Sequence, residues 1–344
     1  MKIQKILIIQ TAFLGDVILT TPVIDTLAEK YGQAEIDFLT IPPSVNLIET
    51  HPAVSHVLVF DKRGGDSGIK GLLRIAERMQ NRKYDICICP HRSLRSAFIA
   101  WRTRAGIRIG FETSAWKYAF THRIRYQVDR HEIERNLSLL HPLGLDSPIR
   151  KPSVFPDETD RQHVSRILSE AGLANSEKLF AVAPGSVWAT KRWPKLYYAE
   201  LCRLAGESGW QPVLIGSRED LELCEEIAGR SGHGINLAGK FTLRQAGELL
   251  SRCQALLTND SAPLHLGMAF DIPVFAIFGP TIPGFGFAPF GPKGIILERD
   301  DVGCRPCTRH GGKTCPVKTF DCMELIDPES VFKRVQSYFQ LILN

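Results

Sequence analysis

The sequence of 344 residues contains no uninterrupted apolar run near the roughly 20 residues that a membrane-spanning helix needs. At its start, "MKIQKILIIQTAFLGD", Gln10 and Asp16 cut the apolar run short and no cleavage-like stretch follows, which points to a cytoplasmic chain without an anchor. No G-x-G-x-x-G follows a candidate strand, which argues against hydride transfer, and no G-x-x-x-x-G-K-[ST] occurs, which excludes a Walker loop. Repeats of solenoid length and low-complexity tracts are also missing. What is present is 44% hydrophobic and 23% charged residues, ordinary for a globular protein. The length exceeds what one hydrophobic core usually serves, so two domains are expected.

"KILII" followed by "DVILTTPVIDTLAEKYG" reads as a buried strand, a short loop and one amphipathic helix ending near Gly32. "AEIDFLT", "VSHVLVF" and "YDICICP" read as further strands. The proline-rich, polar stretch "SPIRKPSVFPDETD" interrupts the pattern at 147–160, after which strands and helices alternate again: "KLFAVAPG", "WQPVLIG", "GINLAG", "QALLTND" and "IPVFAIFGP". Such alternation implies parallel sheets, here two α/β domains spanning 1–155 and 156–326. The last segment, 327–344, reads as a helix capped by Asp327 with Pro328 in its first turn.

In open parallel sheets, ligands bind beyond the carboxyl ends of the strands, where helix N-termini point outward. Three segments have that placement. In "TNDSAPLHLGMAF", Asp260 and Ser261 follow a strand and open a helix, a site suited to an anion, with small Ala262 allowing close approach and His265 one turn in; either residue could equally be a plain N-cap. In "PGSVWATKRWP", Gly185 and Ser186 suit a phosphate-approaching loop, and Lys191 with Arg192 brings positive charge. In "QTAFLGDVILTTP", Asp16 sits at the start of a helix, as a cap or as a base able to accept a hydroxyl proton. A helix N-terminus stabilises a carboxylate, so Asp16 as a base would depend on close contact with its substrate more than on a raised pKa.

Charge is also unevenly spread. Between Arg82 and Arg125 ten Lys and Arg face only Asp85 and Glu112, within a net charge of +5 for the whole chain. The first half therefore attracts anions, unless the run is simply a solvated face. Aromatic platforms of the kind nucleic-acid binders use are not evident among these residues, so nucleic acid is not an expected partner.

"GDVILTTP", "PGSVWATKRWP", "TNDSAPLHLGMA" and "VFAIFGPTIP", in this order and spacing, resemble the bacterial ADP-heptose:lipopolysaccharide heptosyltransferases, particularly the heptosyltransferase II type. The resemblance implies a GT-B fold, with two Rossmann-like domains facing each other across a cleft and the last helix returning toward the first domain. It implies an inverting transfer of heptose from ADP-heptose to the Kdo-containing, anionic inner core of lipopolysaccharide, by a peripheral enzyme at the cytoplasmic face of the inner membrane. On this likeness Asp16 is the general base, while Lys191 and Ser186, with Gly185, hold the diphosphate. Asp260, Ser261, Ala262 and His265 bind the donor's phosphates and sugar, Asp220 or Glu219 meets the ribose, and Phe241 meets the adenine. Arg92 and Arg95 are the choices for the acceptor. The chemistry itself requires no cofactor.

The competing readings are a GT-B transferase using another nucleotide sugar and a non-catalytic nucleotide or anion-binding module. The cysteines stand apart from all of these. Cys87, Cys89, Cys202, Cys224 and Cys253 lie in apolar patterns and read as small buried hydrophobes. Cys304, Cys307, Cys315 and Cys322 form C-x2-C-x7-C-x6-C and, in a reducing compartment, could either enclose a structural zinc or stay as free thiols. Such a zinc is expected to support the fold independently of the donor site.

Overall fold

The computed structural model describes residues 3–174, 176 and 178–343. The chain divides into two compact units, Met1–Phe155 and Pro156–Asn344. In the first, strands β1 (Lys5–Ile9), β2 (Glu35–Thr40), β3 (His56–Val59), β4 (Ile86–Cys89), β5 (Ile107–Phe111) and β6 (His122–Ile124) form one sheet in the order β3-β2-β1-β4-β5-β6. In the second, β7 (Leu179–Ala183), β8 (Gln211–Leu214), β9 (Ile235–Asn236), β10 (Ala255–Asn259), β11 (Val274–Phe278) and β12 (Gly294–Glu298) form another, in the order β12-β11-β10-β7-β8-β9. All ten strand pairs among the described residues are parallel. Read from β9, the second sheet repeats the order of the first. Each is therefore a Rossmann-like sheet whose strand order reverses beside its first strand, between β1 and β4 and between β7 and β10.

The central strands are buried on both faces, which is why they are near-continuous Ile, Leu, Val, Phe and Ala. Helices cover them through apolar stripes such as Ile75, Ala76 and Met79 of Gly68–Asn81. Two departures from the sequence reading have plain causes. The opening helix is broken into Leu14–Ile18 and Thr21–Lys30, because Pro22 falls in the first turn of the second piece and cannot donate a hydrogen bond. Strands β5, β6 and β12 were not expected: β5 carries Arg108 at its second position, while β6 and β12 are edge strands with little or no apolar alternation.

The last helix, Pro328–Leu343, is capped by Asp327, whose carboxylate accepts from Ser330 N at 2.9 Å. Its described packing is against helix Lys195–Glu207, and its aromatics meet Trp210 and Phe275 of the second unit. Tyr338 and Phe339 pack against the apolar core of the second unit.

One buried side chain ties three segments of the second unit together. Asn259, at the end of β10, accepts from Trp193 N at 3.1 Å and from Tyr198 Oη at 2.9 Å, and donates to Pro184 O at 2.9 Å. Removing it orphans two buried donors and a carbonyl. Asn259→Ala should therefore cost about 3 kcal/mol of unfolding free energy, measured by chemical denaturation; a change within about 0.5 kcal/mol, typical of surface substitutions, would show that water replaces the amide.

Candidate donor and acceptor sites

Most of the donor and acceptor residues singled out from sequence lie at the two reversal points, while Asp220 follows β8 and Phe241 follows β9. In the first unit, Asp16 follows β1, and Arg92 and Arg95 follow β4. Asp16 is the third residue of helix Leu14–Ile18, and its carboxylate accepts from Phe13 N at 3.2 Å. It is half-buried. Burial raises its pKa from 3.8 to about 7, helped by the negative charge of Glu132 and opposed by local backbone hydrogen bonds and Arg92. The expectation that the helix end would keep this carboxylate weakly basic is thus overturned: loss of water outweighs the partial charge of so short a helix.

Glu132 is a residue that sequence reasoning missed. It is buried at the start of helix Glu132–Ser138, where it accepts from Tyr126 Oη and Arg135 Nη1, both at 2.8 Å. The Arg92 guanidinium lies 4.0 Å from the centre of the Tyr126 ring, so one cation–π contact joins Arg92 to the group beside Asp16. Lys62 and His91 were missed as well. Lys62 Nζ donates to Thr11 O at 2.6 Å, and the His91 ring lies 2.9 Å from both Thr11 Oγ1 and Ser96 Oγ. Burial, with Lys62 and Arg92 nearby, lowers the His91 pKa to about 4, so its ring is neutral at pH 7. Arg95 is exposed, within electrostatic reach of Lys62. Only the loop position of Lys62, in "DKRGGD" after β3, could have flagged it beforehand.

Folding also gathers aromatic rings among the basic residues, which the sequence did not suggest. Phe98, Trp101 and Trp116 stand with centroids 5.4–6.5 Å apart, and Tyr118, 71% exposed, lies near Lys117 and Arg123.

In the second unit, Lys191 and Asp260 form a buried pair: Nζ donates to the carboxylate at 2.5 Å and to the Asp260 carbonyl at 3.2 Å. Thr281 Oγ1 donates to the same carboxylate oxygen at 2.7 Å. Asp260 is therefore no N-cap. That position belongs to Ser261, ahead of helix Ala262–Ala269, and its side chain makes no capping bond. The observed contacts of the carboxylate are with the Lys191 ammonium and the Thr281 hydroxyl. Ser261 and Ala262 are half-buried at the opening of the helix, whereas His265 is buried in the next turn, 6.5 Å from the Phe287 ring.

Gly185 and Ser186 follow β7. The Ser186 carbonyl accepts from Arg192 Nε at 2.8 Å, which fixes the loop. Gly185 lies against the Asp220 carboxylate, where a Cβ would collide. Asp220 itself accepts from Ser217 N and Ser217 Oγ, both at 2.8 Å, while Glu219 is exposed. Phe241 is half-buried ahead of helix Leu243–Ser251, edge-on to His163 at 6.1 Å.

Cys304, Cys307, Cys315 and Cys322 line one small cavity together with Thr190 and Pro280, and all are free thiols. Among the described residues, the three-residue group whose metal-ligating atoms lie within 4.8 Å of one another is Glu35, Asp37 and His56. Arg82 donates to Asp37 at 2.7 Å and to Glu35 at 3.0 Å, so that group is an ion-pair network already supplied with its cation.

The profile of glycosyltransferase family 9 (heptosyltransferase) matches residues 72–318. The chain is 28% identical over 312 residues to lipopolysaccharide heptosyltransferase 2 of Salmonella typhimurium, covering 86% of this chain and 88% of that one. It is similar in structure to a family 9 glycosyltransferase from Veillonella parvula, with a TM-score of 0.87, 26% identity and 97% of each chain covered. The fold also matches ADP-heptose lipopolysaccharide heptosyltransferase II of Escherichia coli, at a TM-score of 0.80 and 22% identity over 99% of this chain and 100% of that one.

The shifted Asp16 makes a signed prediction. Folding raises its pKa from 3.8 to about 7, so the native state binds the proton that the unfolded chain releases. Stability from this group is then full below the lower value, falls as pH rises through the window and levels off above the upper one. Asp16→Asn removes that slope, so the melting temperature of the variant minus that of wild type should climb between pH 4 and pH 7. A difference independent of pH would make Asp16 an ordinary solvated carboxylate.

Proposed function

The chain belongs to glycosyltransferase family 9, and from that premise we propose that it transfers heptose from ADP-heptose to the inner core of lipopolysaccharide, with inversion at the anomeric carbon. The observation that carries this reading is the pair of complementary groups at equivalent strand ends: a carboxylate raised to about 7 after β1, and the buried Lys191 ammonium after β7, held by the Asp260 carboxylate beside the helix that opens after β10.

Asp16 accepts the proton of the acceptor hydroxyl as its oxygen bonds to the anomeric carbon. The bond from that carbon to the diphosphate breaks, and its electron pair leaves with ADP. A base with pKa near 7 is half deprotonated near neutrality yet still strong enough to draw the proton. Negative charge grows on the leaving diphosphate, and Lys191 meets it from a fixed position, with the backbone N–H groups after Ser261 adding their partial charge. Gly185 and Ser186 bring the preceding loop close to the phosphates, Asp220 reaches the ribose and Phe241 flanks the base.

Arg92 and Arg95 suit the carboxylates and phosphates of a Kdo-containing acceptor. Among the described residues no helix is long and apolar enough to cross a membrane. Exposed Trp101 and Tyr118 among Arg104, Lys117 and Arg123 support peripheral contact with an anionic membrane at its cytoplasmic face. No cofactor enters the chemistry.

Two substitutions test the assignment. Asp16→Asn should leave ADP affinity within a few-fold while lowering kcat by about 10²-fold or more, as loss of a general base does; the acid limb of the pH–rate profile near 7 should disappear with it. Undiminished turnover would remove Asp16 from the mechanism. Ala262→Leu, at the half-buried first residue of its helix, should weaken ADP binding by at least about tenfold with the ligand-free melting temperature nearly unchanged. Normal ADP binding would place the diphosphate at another strand end, and preferential binding of UDP-sugars would replace the heptosyl reading by another nucleotide sugar.

A further inference from the structure

The segment from Cys304 to Cys322 has no regular secondary structure until helix Asp321–Glu324 begins, yet it is anchored against the donor loops at three points. Thr190 and Gly312 exchange bonds: Thr190 N donates to Gly312 O at 3.1 Å, Gly312 N donates to Thr190 Oγ1 at 2.7 Å, and Thr190 Oγ1 also reaches Gly312 O at 3.1 Å. Gly311 lies so close to Trp188 and Lys191 that an added Cβ would meet both side chains, and its φ of +93° suits glycine. Arg305 donates to the carbonyls of Gly279 and Thr281 and to Glu298, while Cys307 N donates to Pro280 O at 2.9 Å. Thr190 precedes Lys191, and Thr281 bonds Asp260. The cysteine segment thus grips the chain on both sides of the buried pair.

Beside these hydrogen bonds, the segment gathers four thiols around one void. We propose that Cys304, Cys307, Cys315 and Cys322 close on a thiophilic divalent metal ion, and that this closure braces the Thr190–Lys191 turn and Thr281, so that affinity for the donor's diphosphate depends on metal occupancy. The statement about the diphosphate rests on the function proposed above. It replaces the expectation of a zinc independent of the donor site, because the cavity wall includes Thr190 itself.

Binding draws the four sulfurs inward and releases their protons to solvent. A cation at the centre favours the deprotonated thiolates. Thr190 is on this account a positioning residue: it transmits the closure and touches no substrate.

The test uses the full chain. Metal analysis of the purified protein should find about one zinc or iron per chain, and cobalt(II) added to the stripped protein should give the absorption of a tetrahedral thiolate site. Stripping should weaken ADP binding at least about tenfold, the scale of a misplaced charged group, and should speed amide exchange at Thr190. Thr190→Val should bind cobalt normally, bind ADP weakly and lose the dependence on metal, whereas Thr190→Ser should restore it. Circular dichroism checks that the stripped protein stays folded; if it does not, the Thr190 variants decide the coupling in metal-loaded protein. Absence of metal with four titratable thiols or with a disulfide overturns the site. Metal that leaves both ADP affinity and Thr190 exchange unchanged overturns the brace. Should loaded wild type fail to bind ADP while stripping still speeds exchange at Thr190, the brace stands and the donor assignment falls.

Discussion

A parallel sheet delivers the carboxyl ends of all its strands to one edge, and this constraint organises everything else in the molecule. Helices return the chain across the faces, so the loops at that edge are free of packing duties and the helices after them start there with unsatisfied N–H groups. Where the strand order reverses, two such loops part from each other and leave room. The first unit fills that room with Asp16 and Arg92, the second with Gly185, Lys191, Asp260 and Ser261. The same backbone logic, used twice in one chain, serves opposite electrostatic ends.

The contrast lies in how each unit manages a buried charge. Asp16 is deprived of water beside the negative Glu132, with Arg92 only a partial offset, and so its proton is held more tightly than usual. Asp260 is more fully enclosed but is given a full counter-charge and a hydroxyl. Removing one partner of such a pair would leave the other stranded, which is why the arrangement holds its geometry so firmly. One carboxylate keeps its proton up to about pH 7 and the other is held in an ion pair. Residue type alone does not distinguish them.

That difference also marks where sequence reading runs out. The central strands were legible because burial on both faces leaves an unbroken apolar signature, and the position of the loops followed from the alternation. Asp16 and Lys191 could be named because the motifs around them have order and spacing. The pKa of Asp16 could not be foreseen, since it depends first on burial and then on Glu132, which lies more than a hundred positions away in a stretch that looks like a plain capped helix. The partner of Lys191 was likewise invisible: Asp260 is 69 residues further on, and its position suggested a cap. Strands β5 and β12 went unread because an interior arginine in one and an edge location in the other erase the periodicity that identifies a strand.

Gly185 and Asp220 offer a different kind of lesson, one for redesign. The carboxylate stands where a Cβ on Gly185 would be, and the Cβ of Asp220 crowds Gly216 in the same way. The loops after β7 and β8 are therefore keyed to each other by two missing side chains. Exchanging Asp220 for a longer acid to retune what this corner accepts would push on both glycine backbones, and restoring a side chain at either glycine would expel the acid. Altering the selectivity of this corner is a three-residue problem, and libraries that vary one position at a time would find only damaged proteins there.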